Sequence, residues 1–243
     1  MKDTLVIITG HSRGLGAALA HTWLERGAAV CGIARHGNPE LHGKYGEKLR
    51  EVTLNLADEQ ALIAWLASAE WEELCASYRT IWLFNNAGTV QPSCILGEQD
   101  TQQIALAVAL NVTAPLLLAN AVAARQAKGN STRIVHISSG AANKAYPGWS
   151  VYGASKAALD QHARNASIER SGAKVVSIAP GVVDTAMQAE LRESEDFPIR
   201  HRFVDLYTDK ELQSADETAQ QIVDYALSHA FAKQAVIDIR ALS

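Results

Sequence analysis

Apolar residues along this chain fall into two alternating rhythms. Short, uninterrupted apolar and β-branched runs recur at 4–9 (TLVIIT), 28–34 (AAVCGIA), 50–56 (REVTLNL), 132–139 (TRIVHISS), 173–181 (AKVVSIAPG) and 235–239 (AVIDI). A further run at 80–88 (TIWLFNNAG) passes from strand into loop. Between these runs, helical spacing marks 13–27, 58–74, 99–127, 150–171 and 216–230, with Gly27 as the stop of the first helix and Asp58 as the cap of the second. Strands that are apolar throughout are buried on both faces, and strands alternating with helices pair in parallel through crossovers. The pattern predicts an α/β fold: one domain spanning 1–243, with a doubly wound, Rossmann-type parallel sheet of seven strands. Ligands then bind at the carboxyl ends of the strands. One segment breaks the rhythm. Residues 186–215 are polar, charged and sprinkled with aromatics, too long for an ordinary connection. The segment follows a strand's carboxyl end, which predicts a substrate lid; the alternative is a surface excursion with one or two short helices.

Composition narrows the partners. Net charge is −4 with acids and bases interspersed, so neither nucleic acid nor an anionic membrane is expected. Cys31, Cys75 and Cys94 are far apart, with no metal-ligand spacing, and predict free thiols in a reducing compartment, hence the cytoplasm. The start, MKDTLVIITG, runs straight into a strand pattern rather than a signal peptide. The longest apolar run, near 104–124, is interrupted by Asn111, Thr113, Pro115 and Asn120 and reads as a buried helix.

Candidate chemistry clusters at the strand ends. TGHSRGLG (9–16) lies between the first strand and the first helix, with Gly10, Gly14 and Gly16 spaced to let a pyrophosphate approach bare backbone at a helix N-terminus. Ser12 and Leu15 belong to the same cradle. No Asp or Glu follows the second strand; Arg35 stands there and Arg13 in the glycine loop, a pair suited to the 2′-phosphate of NADP, with His36 as a possible helper. Asn55 and Leu56 follow the third strand, where a polar group meets the adenine edge. Asn85 and Asn86 tie neighbouring strand ends, while Asn86, Ala87 and Gly88 form a ledge near the ribose. Pro180, Gly181, Val183 and Thr185 follow the sixth strand as a wall and hydroxyl anchor for the nicotinamide.

Tyr152 and Lys156 share one helix face with only Gly153, Ala154 and Ser155 between them. An ammonium beside a phenol is expected to lower the phenol's pKa toward neutrality. Ser139 ends the fifth strand and can hydrogen-bond a substrate carbonyl, and Asn111 can hold a water beside Lys156. Tyr146, Pro147, Trp149, Met187, Phe197 and Phe203 supply an apolar pocket, with Tyr146, Trp149 and Met187 as the chosen substrate contacts.

In TGHSRGLG, NNAG, Asn111, the ISS ending at Ser139, Tyr152-x-x-x-Lys156 and Pro180–Gly181…Thr185, the sequence resembles the short-chain dehydrogenase/reductase family. The resemblance implies a catalytic tetrad: Tyr152 as proton donor, Ser139 orienting the carbonyl, Asn111 positioning a relay water, and Lys156 binding the nicotinamide ribose and depressing the tyrosine pKa. It also implies a homodimer or homotetramer through helices 99–127 and 150–171. The family usually has Asp where Asn55 stands; Asn keeps an acceptor oxygen, and Asp58 is the substitute candidate. APGVVDTAMQAELR (179–192), with Asp184, Thr185, Met187 and Gln188, looks like the sepiapterin reductase and benzil reductase branch, in which an Asp near the position of Asp238 anchors a pterin. The expected activity is NADPH-dependent reduction of a ketone or vicinal dicarbonyl. The alternatives are an NADP-dependent alcohol or sugar dehydrogenase, and a non-catalytic NADP-binding regulator. A regulator is expected to have lost a tetrad member, and none is lost.

Overall fold

The computed structural model describes residues 1–242. Seven strands form one sheet: β1 (Thr4–Thr9), β2 (Ala29–Ala34), β3 (Leu49–Thr53), β4 (Thr80–Asn85), β5 (Ser131–Ile137), β6 (Lys174–Ala179) and β7 (Val236–Asp238). Their order is β3-β2-β1-β4-β5-β6-β7, and every pairing is parallel. The order reverses between β1 and β4, so the crevice where such sheets bind ligands opens above these two strands.

Helices cover both faces. On one side lie α1 (Gly14–Glu25), the short α2 (Pro39–Tyr45) and, late in the chain, α10 (Ala215–Leu227). On the other lie α3 (Glu59–Leu66), α4 (Ala69–Ala76), α5 (Thr101–Val108), α6 (Ala114–Ala123) and α7 (Ser150–Ile168). Period-two alternation in β1 serves both cores: Val6 and Ile8 pack with Trp23, Trp82 and Ile222, while Leu5 and Ile7 pack with Trp65, Leu118 and Ala163. The segment after β6 folds into α8 (Ala186–Glu193) and α9 (Arg200–Thr208) above the strand ends.

Several boundaries differ from the sequence expectation. The helix expected at 58–74 is two, because Ser68 ends one and caps the next, donating to Trp65 O at 2.6 Å and accepting from Trp71 N at 3.3 Å. Helix α2 was not anticipated, although Asn38 caps it and Pro39 opens it. Strand β3 stops at Thr53 and β5 at Ile137, which leaves Asn55 and Ser139 on turns rather than strand ends. The helix expected at 99–127 is broken by a π-helical turn over Ala109–Thr113, which contains Asn111. Its apolar stretch, Thr101–Gln126, does reach the length and composition of a membrane span, and only 33% of its most apolar window is buried. α6 turns Ala114, Leu118, Ala119 and Val122 to the core, whereas Leu106 and Val108 at the end of α5 are exposed.

Candidate active site

The glycine loop leaves β1 and opens α1. A side chain at Gly16 would meet Gly10 O at 2.1 Å, a backbone contact nothing can relieve, so the turn is closed to any other residue. α1 begins without a side-chain cap and without an acid in its first turn, whereas Asn38, Asp58, Ser68, Asp100 and Ser214 cap α2, α3, α4, α5 and α10. Its first backbone N–H groups are therefore unsatisfied by the protein, and the bare loop above them fits a pyrophosphate. Thr185 reaches the same loop from the far side: a Cβ at Gly14 would lie 3.2 Å from its methyl group. The Pro180–Thr185 turn thus closes one wall of the crevice.

Hydrogen bonds fix the crevice floor. Thr9 Oγ1 accepts from the N–H groups of both Asn86 and Ala87 at 2.9 Å, and Asn86 Nδ2 donates back to Thr9 O at 2.9 Å. Asn86 ties β4 to β1 as expected, while Asn85 instead ties β4 to β5 and α6 by donating to Pro115 O and contacting His136 Nδ1. Asn111 grips the next residues: its Oδ1 accepts from Thr89 N and its Nδ2 donates to Thr89 O, both at 2.8 Å, with a third bond to Ser155 Oγ at 3.2 Å. Its side chain is thus largely spent on backbone, with one Oδ1 lone pair left for a water. A Cβ at Gly88 would stand 3.1 Å from Asn111 Oδ1 and 3.6 Å from Lys156 Nζ, so a bare residue is required where these two converge.

Tyr152 and Lys156 lie on the buried face of α7. The Ser139 hydroxyl lies near enough to the Tyr152 phenol to favour its ionised form, and its Oγ accepts from Ala141 N at 3.2 Å. Ser138 Oγ is buried and makes no hydrogen bond, so Ser139, not its neighbour, faces the phenol. Lys156 Nζ donates to Ile137 O at 2.8 Å and sits 5.7 Å from the Tyr152 ring centroid. The electrostatics reverse the sequence expectation for Tyr152. Burial pushes its phenol above the usual range, and the Ser139 hydroxyl only partly offsets this. Burial also lowers Lys156 to about 8, against the upward pull of Asp160. For both groups burial is the larger influence.

Above the phenol is an aromatic wall. Trp149 packs on Tyr152 at 4.9 Å between centroids, stacks on Phe197 at 5.2 Å and meets Phe203 at 5.4 Å. Its indole N–H donates to Ser93 Oγ at 3.1 Å. Tyr146 lies against Trp149 and under Arg202, and Met187 packs at the cluster's edge. The segment 186–215 therefore packs its buried aromatics onto Trp149, which in turn lies on Tyr152. Beside it runs a groove of about 470 Å³ lined by Leu96, Tyr146, Trp149 and Gly153 among others, large enough for a small molecule.

At the adenosine end, Arg13, Arg35 and His36 are exposed around the crevice. Sequence reasoning missed Glu51. Partial burial works against its charge, but His11 at 2.8 Å and the Asn38 N–H at 2.6 Å outweigh this and hold the carboxyl below its usual range. The period-two pattern of β3 was the available signal, since Glu51 shares a face with buried Leu49. Asn55 accepts from Ala57 N at 3.2 Å within its turn, Leu56 is buried, and Asp58 serves as the α3 cap. Asp238 accepts from Arg240 Nε at 2.9 Å, and this pairing lowers its pKa.

Comparison with known proteins agrees with this geometry. The family model for short chain dehydrogenase matches residues 4–196. The chain is 33% identical to a benzil reductase ((S)-benzoin forming) of Bacillus cereus over 96% of this chain and 98% of that protein. It is 30% identical to the sepiapterin reductase of Rattus norvegicus over 96% and 94% respectively. A crystal structure of a short-chain dehydrogenase/reductase from Burkholderia vietnamiensis superposes with a TM-score of 0.73 at 38% identity, covering 100% of this chain and 99% of that one. With a glycine cradle, an Asn–Ser–Tyr–Lys cluster at the sheet's reversal point and relatives matched end to end, the chain belongs to the short-chain dehydrogenase family, whose members are oxidoreductases that use a nicotinamide dinucleotide.

Proposed function

We propose that the protein is an NADPH-dependent reductase of small ketones or vicinal dicarbonyls. The observation that carries this is the buried Tyr152 phenol sharing the inner face of α7 with Lys156, beside Ser139 at the strand ends. The similarity to benzil and sepiapterin reductases supports the same direction and substrate class.

The Gly10–Gly16 cradle, with Ser12, Arg13 and Leu15, would hold the pyrophosphate, with Arg35 on a 2′-phosphate, Asn55 and Leu56 about the adenine, and Asn86, Ala87 and Gly88 beneath the ribose. Pro180, Gly181, Val183 and Thr185 would wall the nicotinamide. Bound there, the dinucleotide supplies the hydride. Ser139 orients the substrate carbonyl and steadies its oxygen as charge develops. Tyr152 donates its hydroxyl proton to that oxygen. Lys156 would hold the nicotinamide ribose and stabilise the phenolate left behind, and Asn111, which holds Thr89, would also hold a relay water. Tyr146, Trp149 and Met187 enclose an aryl or short-chain substituent, and 186–215 acts as a lid that opens to admit it. We assign the protein to the cytoplasm on its three unbridged cysteines, and to a homodimer or homotetramer on the apolar end of α5.

The test is NADPH consumption over a panel of vicinal diketones, pterins, quinones and simple ketones. Turnover confined to diketones and related ketones is expected. Oxidation of alcohols or sugars by NADP, with no carbonyl reduced, would overturn the assignment.

A further inference from the structure

Asp160 is a carboxylate at 1% exposure that no step above uses. It lies one helical turn beyond Lys156 on α7, in the i+4 position that shares its face. Both its oxygens are engaged from other elements. Oδ1 accepts from Ser177 Oγ on β6 at 2.7 Å, and Oδ2 accepts from Asn143 Nδ2 at 3.2 Å. Asn143 ends the short turn that Ser139 begins, since Ser139 caps Gly140–Ala142 and Asn143 follows it. One buried side chain thus touches the strand beneath the active-site helix, the helix itself and the loop that carries the carbonyl-orienting serine.

A buried carboxylate is costly unless its charge is used. Among the charged and titratable groups on the neighbouring elements, Lys156 is the one whose charge Asp160 favours, through space rather than by a direct ion pair. On α7, His162 is half-buried and burial lowers its pKa. On β5, His136 is held down at about 3 by burial, so it is neutral, and Arg133 stands over the Trp82 ring. On β6, Lys174 is exposed. On β7, Asp238 is paired with Arg240 and also feels Lys144 from the Ser139 loop. α5 carries no charged side chain. We propose that Asp160 is a positioning residue of the active site, supplying the counter-charge to Lys156 and tying the Ser139 loop to α7 through Asn143. This rests on the reductase mechanism above for its consequence, though not for its charge balance.

Burial takes Lys156 down to about 8, and Asp160 is the group that pulls it back up. The sign follows. The lysine contributes while protonated, so its contribution is lost as pH rises through its pKa, and loss of Asp160 moves that loss to lower pH. The test has two readouts on the full chain. The first follows the Lys156 side-chain titration by NMR on the free protein, assigned with Lys156→Arg, and needs no substrate. Asp160→Asn, close in volume and able to hydrogen-bond, should lower the Lys156 pKa by about one unit. Ser177→Ala removes a hydrogen bond but no charge and should leave the titration in place. The second readout is the pH profile of kcat/KM. Its alkaline limb should move down with the lysine in Asp160→Asn, whereas Asn143→Ala should lower kcat several-fold with the limb unmoved. An unchanged lysine titration in Asp160→Asn overturns the proposal. If that variant does not fold, a wild-type Lys156 already neutral at neutral pH overturns it as well, and so does full activity in Asn143→Ala. A lysine that shifts as expected in a protein that reduces no carbonyl sinks the reductase function and leaves the Lys156–Asp160 coupling standing.

Discussion

Replacing Tyr152 with phenylalanine removes one oxygen from a dry site and keeps the ring's packing against Trp149. We expect Tyr152→Phe to reduce kcat by at least about a hundredfold, the scale of lost general-acid catalysis, while NADPH affinity by fluorescence titration stays within about twofold. Normal turnover would remove the phenol from the mechanism. The Tyr152–Lys156 pair was legible in the sequence because i and i+4 on a helix must share a face. What it does to the phenol was not. The ammonium suggested an acidified tyrosine, but local sequence carries no record of how much water the fold excludes, and here desolvation is the larger effect. Glu51 and Asp160 were missed for a related reason. Each acts through partners 13 to 40 residues away, and only the folded chain brings Asn143 and Ser177 to one carboxylate or His11 to the other.

At the scale of elements, the strand-end loops do the binding and the strands only present them. The loop after β2 is anchored by Asn38, which donates to Ser12 O on the glycine loop and caps α2. Arg35 rides on that anchored loop. Arg35→Asp should shift the ratio of kcat/KM for NADPH over NADH toward NADH by about tenfold or more, since a charge-assisted contact to phosphate becomes a repulsion; an unmoved ratio would remove Arg35 from phosphate recognition. The segment with α8 and α9 makes a second case. Phe197 is 2% exposed and stacked on Trp149, so Phe197→Ala should cost on the order of 3 kcal/mol of local packing and raise KM more than it lowers kcat. A KM left unchanged would mean that the segment does not shape the substrate site. The sequence marked this segment as irregular and aromatic and left one or two short helices as an alternative; it did not show that their apolar positions are organised around Trp149 rather than around the sheet. Turn residues Asn55 and Ser139 were found one step out of place because strand ends are set by neighbouring strands, not by their own composition.

For the whole molecule, the two-sided core and seven parallel strands could be read from periodicity because continuous apolar runs admit few other burials. The exposed apolar residues could not, since sequence does not separate an inward Leu from an outward one. Leu96, Leu106 and Val108 are 84%, 49% and 44% exposed. Exposed apolar side chains of this size are ones that a second copy would cover. Leu106→Glu should therefore shift sedimentation velocity toward the monomer at micromolar concentration, and a monomeric wild type would end the expectation of self-association.

The π-helical turn over Ala109–Thr113 joins these scales. Such a turn holds one residue more than an α-turn, so it sets the two flanking helices about 100° out of phase with an unbroken helix. α6 keeps Leu118 and Val122 in the core, whereas on α5 only Ala107 is buried and Leu106 and Val108 on either side of it are exposed. The extra residue that turns Asn111 toward Thr89 is thus also the angular offset between the core-facing α6 and the largely exposed α5. An insertion or deletion there would reset the inner geometry and the outer face together.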